Sequence, residues 1–251
     1  MRFYSKSILL MSLVLLMNSV QAQKVYTVGV EPQPYYPNFS YVKGQYTGYS
    51  RAVLDLFALK KGIVFKYKAY PIKRLFKMLL VEKIDFKYPD SPYWKSDLKK
   101  RSGKKVQYSH SVSNYIDGTM VLPANQNKQL GQIKTLGIVR GFTPWSYLDA
   151  IHAKKIRVVE NSSLKGLIKQ VIHKRIDGAY INVAVAEHHL KKNYKNKNKL
   201  VFNDSLPHSK ADYYLSTVKH TKILEEFNQF LMDEAVQIKR LKQKYQVTIF
   251  D

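Results

Sequence analysis

The chain has 251 residues, a formal net charge of +24 and no cysteine. The missing cysteine excludes disulfides, thiolate metal sites, a cysteine nucleophile and the lipid-modified cysteine of a bacterial lipoprotein. The positive balance would suit an anionic polymer or lipid. The lysines are spread along the whole chain, however, which reads as a solvated surface, and the densest run, Lys191 to Lys199, reads as a loop after a helix.

Arg2 and Lys6 form a short basic head, and Ile8 to Met17 is an apolar run broken only by Ser12. Val20-Gln21-Ala22 then offers small residues where a signal peptidase reads. That order predicts a cleavable secretory leader, residues 1–22, cut after Ala22. The apolar run has ten residues, half of the roughly 20 that a membrane span needs. No later segment is long and apolar enough to span a bilayer. The expected location is the periplasm. Residues 23–251 suffice for two lobes of about 100 residues each.

Lys24 to Val30 alternates as a strand. Glu31-Pro32-Gln33-Pro34-Tyr35-Tyr36-Pro37 follows, and its prolines make it an extended aromatic loop. Gly44 to Gly48 is a turn region. Ala52, Val53, Leu56 and Phe57 repeat at helical spacing, with Gly62 as the stop. Ile63 to Ala69 is a strand, Pro71 opens a helix with the stripe Leu75, Phe76, Leu79 and Leu80, and Ile84 to Tyr88 is a strand. Asp90 to Lys105 is polar and broken, and Val106 to His110 and Gly118 to Leu122 are extended.

The alternation restarts at Thr135. Leu136 to Val139 is a strand, Pro144 opens a helix through His152, and Ile156 to Val159 is a strand. Ser162 or Ser163 caps a helix carrying Leu164, Leu167, Ile168, Val171 and Ile172. Ile176 to Ile181 is a strand, Ala184 to Leu190 a helix, and Tyr213 to Val218 a strand. Ile223, Leu224, Phe227, Phe230 and Leu231 then give a helix leading into a basic tail. The two halves echo each other, with Ile84-Asp85 after the Val81-Glu82-Lys83 helix end and Ile176-Asp177 after His173-Lys174-Arg175. Strands alternating with helices predict α/β architecture with largely parallel strands.

The ordered set Pro34-Tyr35-Tyr36-Pro37, Gly48-Tyr49, Tyr70 to Leu75, Lys83-Ile84-Asp85, Tyr108-Ser109, Gly137 to Thr143 and Arg175 to Ala179 resembles the family 3 extracellular solute-binding proteins over essentially the whole chain beyond the leader. Their best-known members bind polar amino acids for ABC importers. The resemblance implies a two-lobed, type II periplasmic-binding-protein-like fold. Each lobe is then a mostly parallel sheet flanked by helices, with a two-strand hinge. It places lobe one at 23–117 plus 212–251 and lobe two at 118–211.

The resemblance also nominates ligand-binding residues. Tyr35 and Tyr36 lie where an aromatic covers the ligand. Asp90, Ser91, Tyr93 and Trp94 follow a strand end, where open α/β sheets gather ligands. The family's carboxylate-clamping arginine falls at Ser102, which makes Arg101, and alternatively Arg74, the candidates. Gly141-Phe142-Thr143 precedes a helix start that suits an anion, with Arg140 nearby. Asn182 stands where amino-acid binders carry an aspartate for the ligand's ammonium, and an amide supplies no charge. Asp90 or Glu31 is the candidate replacement.

The function expected is capture of a small polar or anionic solute, amino-acid-like or an organic acid, by a monomer serving an inner-membrane importer or a sensor. No catalytic residue, metal, cofactor or nucleic-acid partner is expected. Two alternatives compete: a dehydratase-like enzyme on the same fold, and a basic surface protein that binds anionic polymer or lipid.

Overall fold

A computed structural model of the chain describes residues 23–194 and 199–247. The expected leader, residues 1–22, lies outside the described residues, as do 195–198 of the lysine-rich run. Strand β1 (Val25–Val30) leads into a three-stranded antiparallel sheet of β2 (Pro34–Tyr35), β3 (Phe39–Val42) and β4 (Gln45–Thr47). The sequence gives only a loop and a turn here. The strands are short, and the prolines stand at the rim of the small sheet.

Helix α1 (Tyr49–Lys61) buries Val53, Leu54, Phe57 and Ala58 and ends at Gly62 in the left-handed region, φ 64°. Strand β5 (Val64–Ala69), helix α2 (Ile72–Leu80) and strand β6 (Phe86–Asp90) follow as the periodicity predicts. Helix α3 (Ser96–Arg101) was not expected. Leu98 is its one large apolar residue. Its charges suit the helix dipole, with Asp97 in the first turn and Lys99, Lys100 and Arg101 in the last. Strands β7 (Gln107–Tyr108) and β8 (Ser113–Val121) lead out of this half.

The second half contains β9 (Thr135–Val139), α4 (Leu148–His152), β10 (Arg157–Asn161), α5 (Leu164–Ile172), β11 (Gly178–Asn182), α6 (Val183–Asn193) and β12 (Val201–Phe202). Pro144 precedes a 3-10 turn at Trp145–Tyr147 rather than a continuous helix to His152. Ser163 is the cap of α5, its hydroxyl accepting from the Gly166 N–H at 3.1 Å. The chain returns along β13 (Ser209–Thr217) to α7 (Thr221–Asp233) and α8 (Ala235–Tyr245), so the basic tail is itself helical. No helix among the described residues is long and apolar enough to cross a membrane.

The large sheet runs in the order β10-β9-β11-β8-β13-β6-β1-β5. Pairing is parallel at each end, where β1 meets β5 and β6 and where β9 meets β10 and β11. It is antiparallel in the middle, where β8 and β13 cross. Separate cores lie on the two sides. One gathers Val28, Phe57, Phe86 and Phe227, and the other gathers Leu167, Ile168, Val171 and Ala179.

The echo between the halves has a structural counterpart. The Asp85 carboxylate accepts from the Thr27 N–H at 2.7 Å, and the Asp177 carboxylate accepts from the Thr135 N–H at 2.8 Å. In return the Asp85 and Asp177 N–H groups donate to the Thr27 and Thr135 carbonyls. Two residues on, Gly29 and Gly137 make room for the same pair of side chains. A Cβ on Gly29 would stand 2.4 Å from Ile84 Cδ1 and 2.6 Å from Leu75 Cδ1. On Gly137 it would stand 2.4 Å from Ile176 Cδ1 and 2.5 Å from Leu167 Cδ1. Each half thus seats a helix Leu and a strand-leading Ile on a bare strand glycine, with an Asp locking the strand's start.

Candidate functional site

Strands β8 and β13 set the geometry of the middle of the molecule. Their register pairs Ser209 with Asp117, Ala211 with Tyr115 and Tyr213 with Ser113. Strand side chains alternate between faces, so Tyr115 and Asp117 share a face with Ser209 and Tyr213. The Tyr115 and Tyr213 rings stack at 4.3 Å, 17° from parallel. On the other flank of β8, β11 pairs Asn182 with Asp117 and Tyr180 with Thr119.

Asp117 is the focus of this group. It is 8% exposed and forms no ion pair among the described residues. Burial pushes its carboxyl up to about 7, and the neighbouring Asn182 amide offsets only part of that. Asn182 is 1% exposed and caps α6, its carbonyl oxygen accepting from the Val185 N–H at 3.1 Å. Neither Asp117 Oδ1 nor Asn182 Nδ2 makes a hydrogen bond of ordinary geometry.

Phenols surround the carboxyl. Burial, reinforced by the Asp117 charge, holds the Tyr35, Tyr115, Tyr180 and Tyr213 hydroxyls above the usual phenol range, so they stay neutral. The Tyr180 hydroxyl lies 2.9 Å from Ser209 Oγ, which lies 2.7 Å from Ser146 Oγ. Tyr35 stacks on Phe39 at 5.2 Å, and Trp94 meets the Tyr213 ring edge-on at 5.9 Å. Glu31, just after β1, is buried and raised by that burial, with Lys87 opposing the rise.

Beneath Trp94 lies a closed ionic cluster. The Asp90 carboxylate accepts from Lys99 Nζ at 3.1 Å, from the Ser91 N–H at 2.8 Å and from the Ser216 hydroxyl at 2.6 Å. Lys87 is fully buried, 3.4 Å from Asp90, donates to the Pro89 carbonyl, and lies 4.3 Å from the Phe76 ring centre and 5.3 Å from that of Trp94. The Ser91 carbonyl accepts from Lys99 Nζ at 2.7 Å. Asp90 and Ser91 therefore spend their polar groups inside the protein.

Of the residues nominated from sequence, the structure gathers Tyr35, Trp94 and Asn182 around Asp117. Tyr36 turns elsewhere, to His188 at 4.5 Å and Tyr245 at 6.3 Å, beside a cavity of about 440 Å³ between α6 and α8. Tyr93 is 86% exposed. Arg74 is exposed and lies over the Tyr70 ring at 5.4 Å. Arg101 is exposed on α3, and Arg140 is exposed beside Glu160 at 3.6 Å. Thr143 is exposed, and its carbonyl accepts from the Trp145 N–H. The sequence reading passed over Asp117, Tyr115, Tyr180, Tyr213 and the buried Lys87. An acid directly before the extended stretch that begins at Gly118 was the one available signal for Asp117.

No protein-family model and no curated protein matches the sequence. Solved structures do match. The GluR0 ligand-binding core in complex with L-glutamate superposes with a TM-score of 0.68 at 14% identity, covering 89% of this chain and 99% of that one. The L-cystine solute receptor of Neisseria gonorrhoeae, in its unliganded open conformation, gives 0.64 at 19% identity, covering 89% and 93%. The ancestral amino acid-binding protein AncCDT-1, a precursor of cyclohexadienyl dehydratase, gives 0.65 at 17% identity, covering 88% and 94%. At these identities the likeness establishes the fold. It is the two-lobed α/β fold of type II periplasmic binding proteins, as the resemblance implied.

Proposed function

We propose that this chain is an exported solute-binding protein that captures a small polar solute between its lobes and presents it to an inner-membrane importer or a sensor. Lobe one is residues 23–117 with 212–251, lobe two is 118–211, and β8 and β13 are the hinge. The observation that carries the reading is the position of the Asp117 group. A buried carboxyl without an ion pair, four tyrosines and a tryptophan meet where two strands cross between two separately packed cores. Hinged lobes close over a solute and exclude water. Within such a site a few placed polar groups fix orientation while ring faces supply contact area.

A thermal-shift screen of the purified protein against amino acids, organic acids, organic cations, sugars and nucleotides tests this. A solute at 100 times its dissociation constant stabilises the fold by about 2.7 kcal/mol. A rise in melting temperature confined to one chemical class supports capture. Shifts with polyanions or anionic vesicles alone, abolished by salt, would move the function to the basic surface.

One observation favours a second reading, an enzyme on the same fold. A carboxyl held near neutrality suits general acid–base work, and Asp117 is pushed up to about 7. Incubating the protein with whichever solute stabilises it, and looking for product, separates the two. Unchanged solute sustains capture.

A further inference from the structure

The interior of the cleft inverts the charge of the rest of the molecule. The chain carries 42 lysines and arginines against 18 acids, yet none of the described ones pairs with Asp117. The other buried charges on that side are Lys87 and Lys99, which meet Asp90, and Glu31, whose carboxyl feels the Lys87 charge. Asp117 has only the uncharged Asn182 amide opposite it. Burying a carboxylate without a cation is costly, and the surface lysines offered many ways to avoid it.

We infer that Asp117 is the recognition site for a cationic group of the captured solute, an ammonium or guanidinium enclosed by the tyrosines of the cleft. This rests on the solute-binding reading and specifies its chemistry. Four observations on different elements converge on it. The carboxyl is more than nine-tenths buried and lacks a hydrogen bond of ordinary geometry at Oδ1. The groups facing it are neutral phenols, Tyr35 from β2, Tyr115 from β8, Tyr180 from β11 and Tyr213 from β13, whose ring faces attract cations. Glu31 and Asp212, which also reach these phenols, are acids too. The arginines expected to clamp a carboxylate, Arg74, Arg101 and Arg140, all stand exposed and apart from this group. An anion in this cleft would meet Asp117 and Glu31; a cation completes it.

Asp117, buried and pushed up to about 7, also couples affinity to pH. A bound cation favours the ionised carboxylate, so affinity rises with pH up to neutrality and levels off above it. Glu31, Asn182 and the four phenols are the other groups facing this centre. The phenols stay neutral throughout that range, and Asn182 does not titrate. Glu31 adds to the effect in the same direction.

The test is isothermal titration of the protein with lysine, arginine, agmatine, choline, glutamate and succinate as probes. Two comparisons go with it: pH 5.5 against 8, and the unaltered chain against Asp117→Asn. The expected result is binding of at least one cationic probe. That binding should be at least tenfold tighter at pH 8 than at pH 5.5 and at least tenfold weaker in D117N. Because D117N removes an unfavourable buried charge, it should fold, and circular dichroism checks this. The pH comparison on the unaltered chain stands even if it does not. Binding of succinate alone, or of a cation with equal affinity in D117N and at both pH values, would overturn the assignment and leave solute capture intact. Failure of every solute class to bind would remove the solute-binding reading and this inference with it.

Discussion

Asp117 on β8 and Asn182 at the end of β11 are register partners, so a carboxyl and an amide face each other across one strand spacing. The family resemblance looks for an acid at the Asn182 position. The structure has the acid opposite, on β8, with the amide acting as helix cap. Asn182→Asp keeps a capping oxygen for Val185 but sets two buried carboxyls together, which cannot both ionise cheaply. The variant should match the parent near pH 5 and lose stability by pH 8, by about 1.4 kcal/mol for each unit by which the pair's upper pKa rises. Urea melts at the two pH values measure this, and an equal loss at both would show that the two side chains do not interact.

Asp117 should contribute strongly to the pH dependence of stability. Its folded pKa of about 7 lies above the roughly 3.9 of an unfolded carboxyl, so the folded state binds the extra proton between those values. The stabilisation is therefore complete below about pH 4 and is lost as pH rises to about 7, a change of the order of 4 kcal/mol. Asp117→Asn should flatten that slope. Asp85 and Asp177 act in the opposite sense at lower pH. Burial raises both, but hydrogen bonds from Thr27 and His220, and from Lys134 and Thr135, outweigh it and hold them low. Their contribution is present above about pH 4 and disappears as pH falls through their folded values. Stability curves of parent and D117N between pH 3 and 8 distinguish the two effects.

The bare-glycine seat makes a prediction about packing. Gly137→Ala places a methyl 2.4 Å from Ile176 Cδ1 and 2.5 Å from Leu167 Cδ1, and overpacking of this kind costs about 1–3 kcal/mol. Ile176→Val removes one of the two offending carbons. The double variant G137A/I176V should be more stable than the sum of the single losses, by about 0.5 kcal/mol or more. Strict additivity in chemical denaturation would mean that the seat is not shared.

The ionic cluster under Trp94 is a point of failure. Asp90→Asn would leave Lys87 and Lys99 buried with their shared counter-charge gone, and breaking a buried pair in this way costs about 3–5 kcal/mol. Guanidinium melts of D90N should show a loss of that size. A loss below about 1 kcal/mol would mean that water reaches the lysines.

How far the sequence foretold this arrangement depended on whether a feature was local. The strands and helices around Leu75–Leu80 and Leu164–Ile172 carry complete stripes within a few turns, and both were read correctly. The Ile84-Asp85 and Ile176-Asp177 echo was visible, but its partners Thr27-Val28-Gly29 and Thr135-Leu136-Gly137 were not, because each half of the device lies tens of residues from the other. Helix α8 read as a basic tail since Lys239, Arg240, Lys242 and Lys244 mask the sparser stripe of Ile238, Leu241 and Tyr245. The candidate site was least legible. Asp117, Tyr115 and Tyr213 come together only through the pairing of β8 with β13, about a hundred residues apart.

That pairing also fixes an order of assembly. Ser216 closes on Asp90 across 126 residues, and Thr217 closes on Asp85 across 132. A chain emerging from the ribosome holds β9, β10 and β11 complete while β6 still presents an open edge where β13 belongs. Contacts closed over such distances form slowly. The half that is synthesised first thus completes its sheet only when Ser209 to Thr217 arrives beside β6.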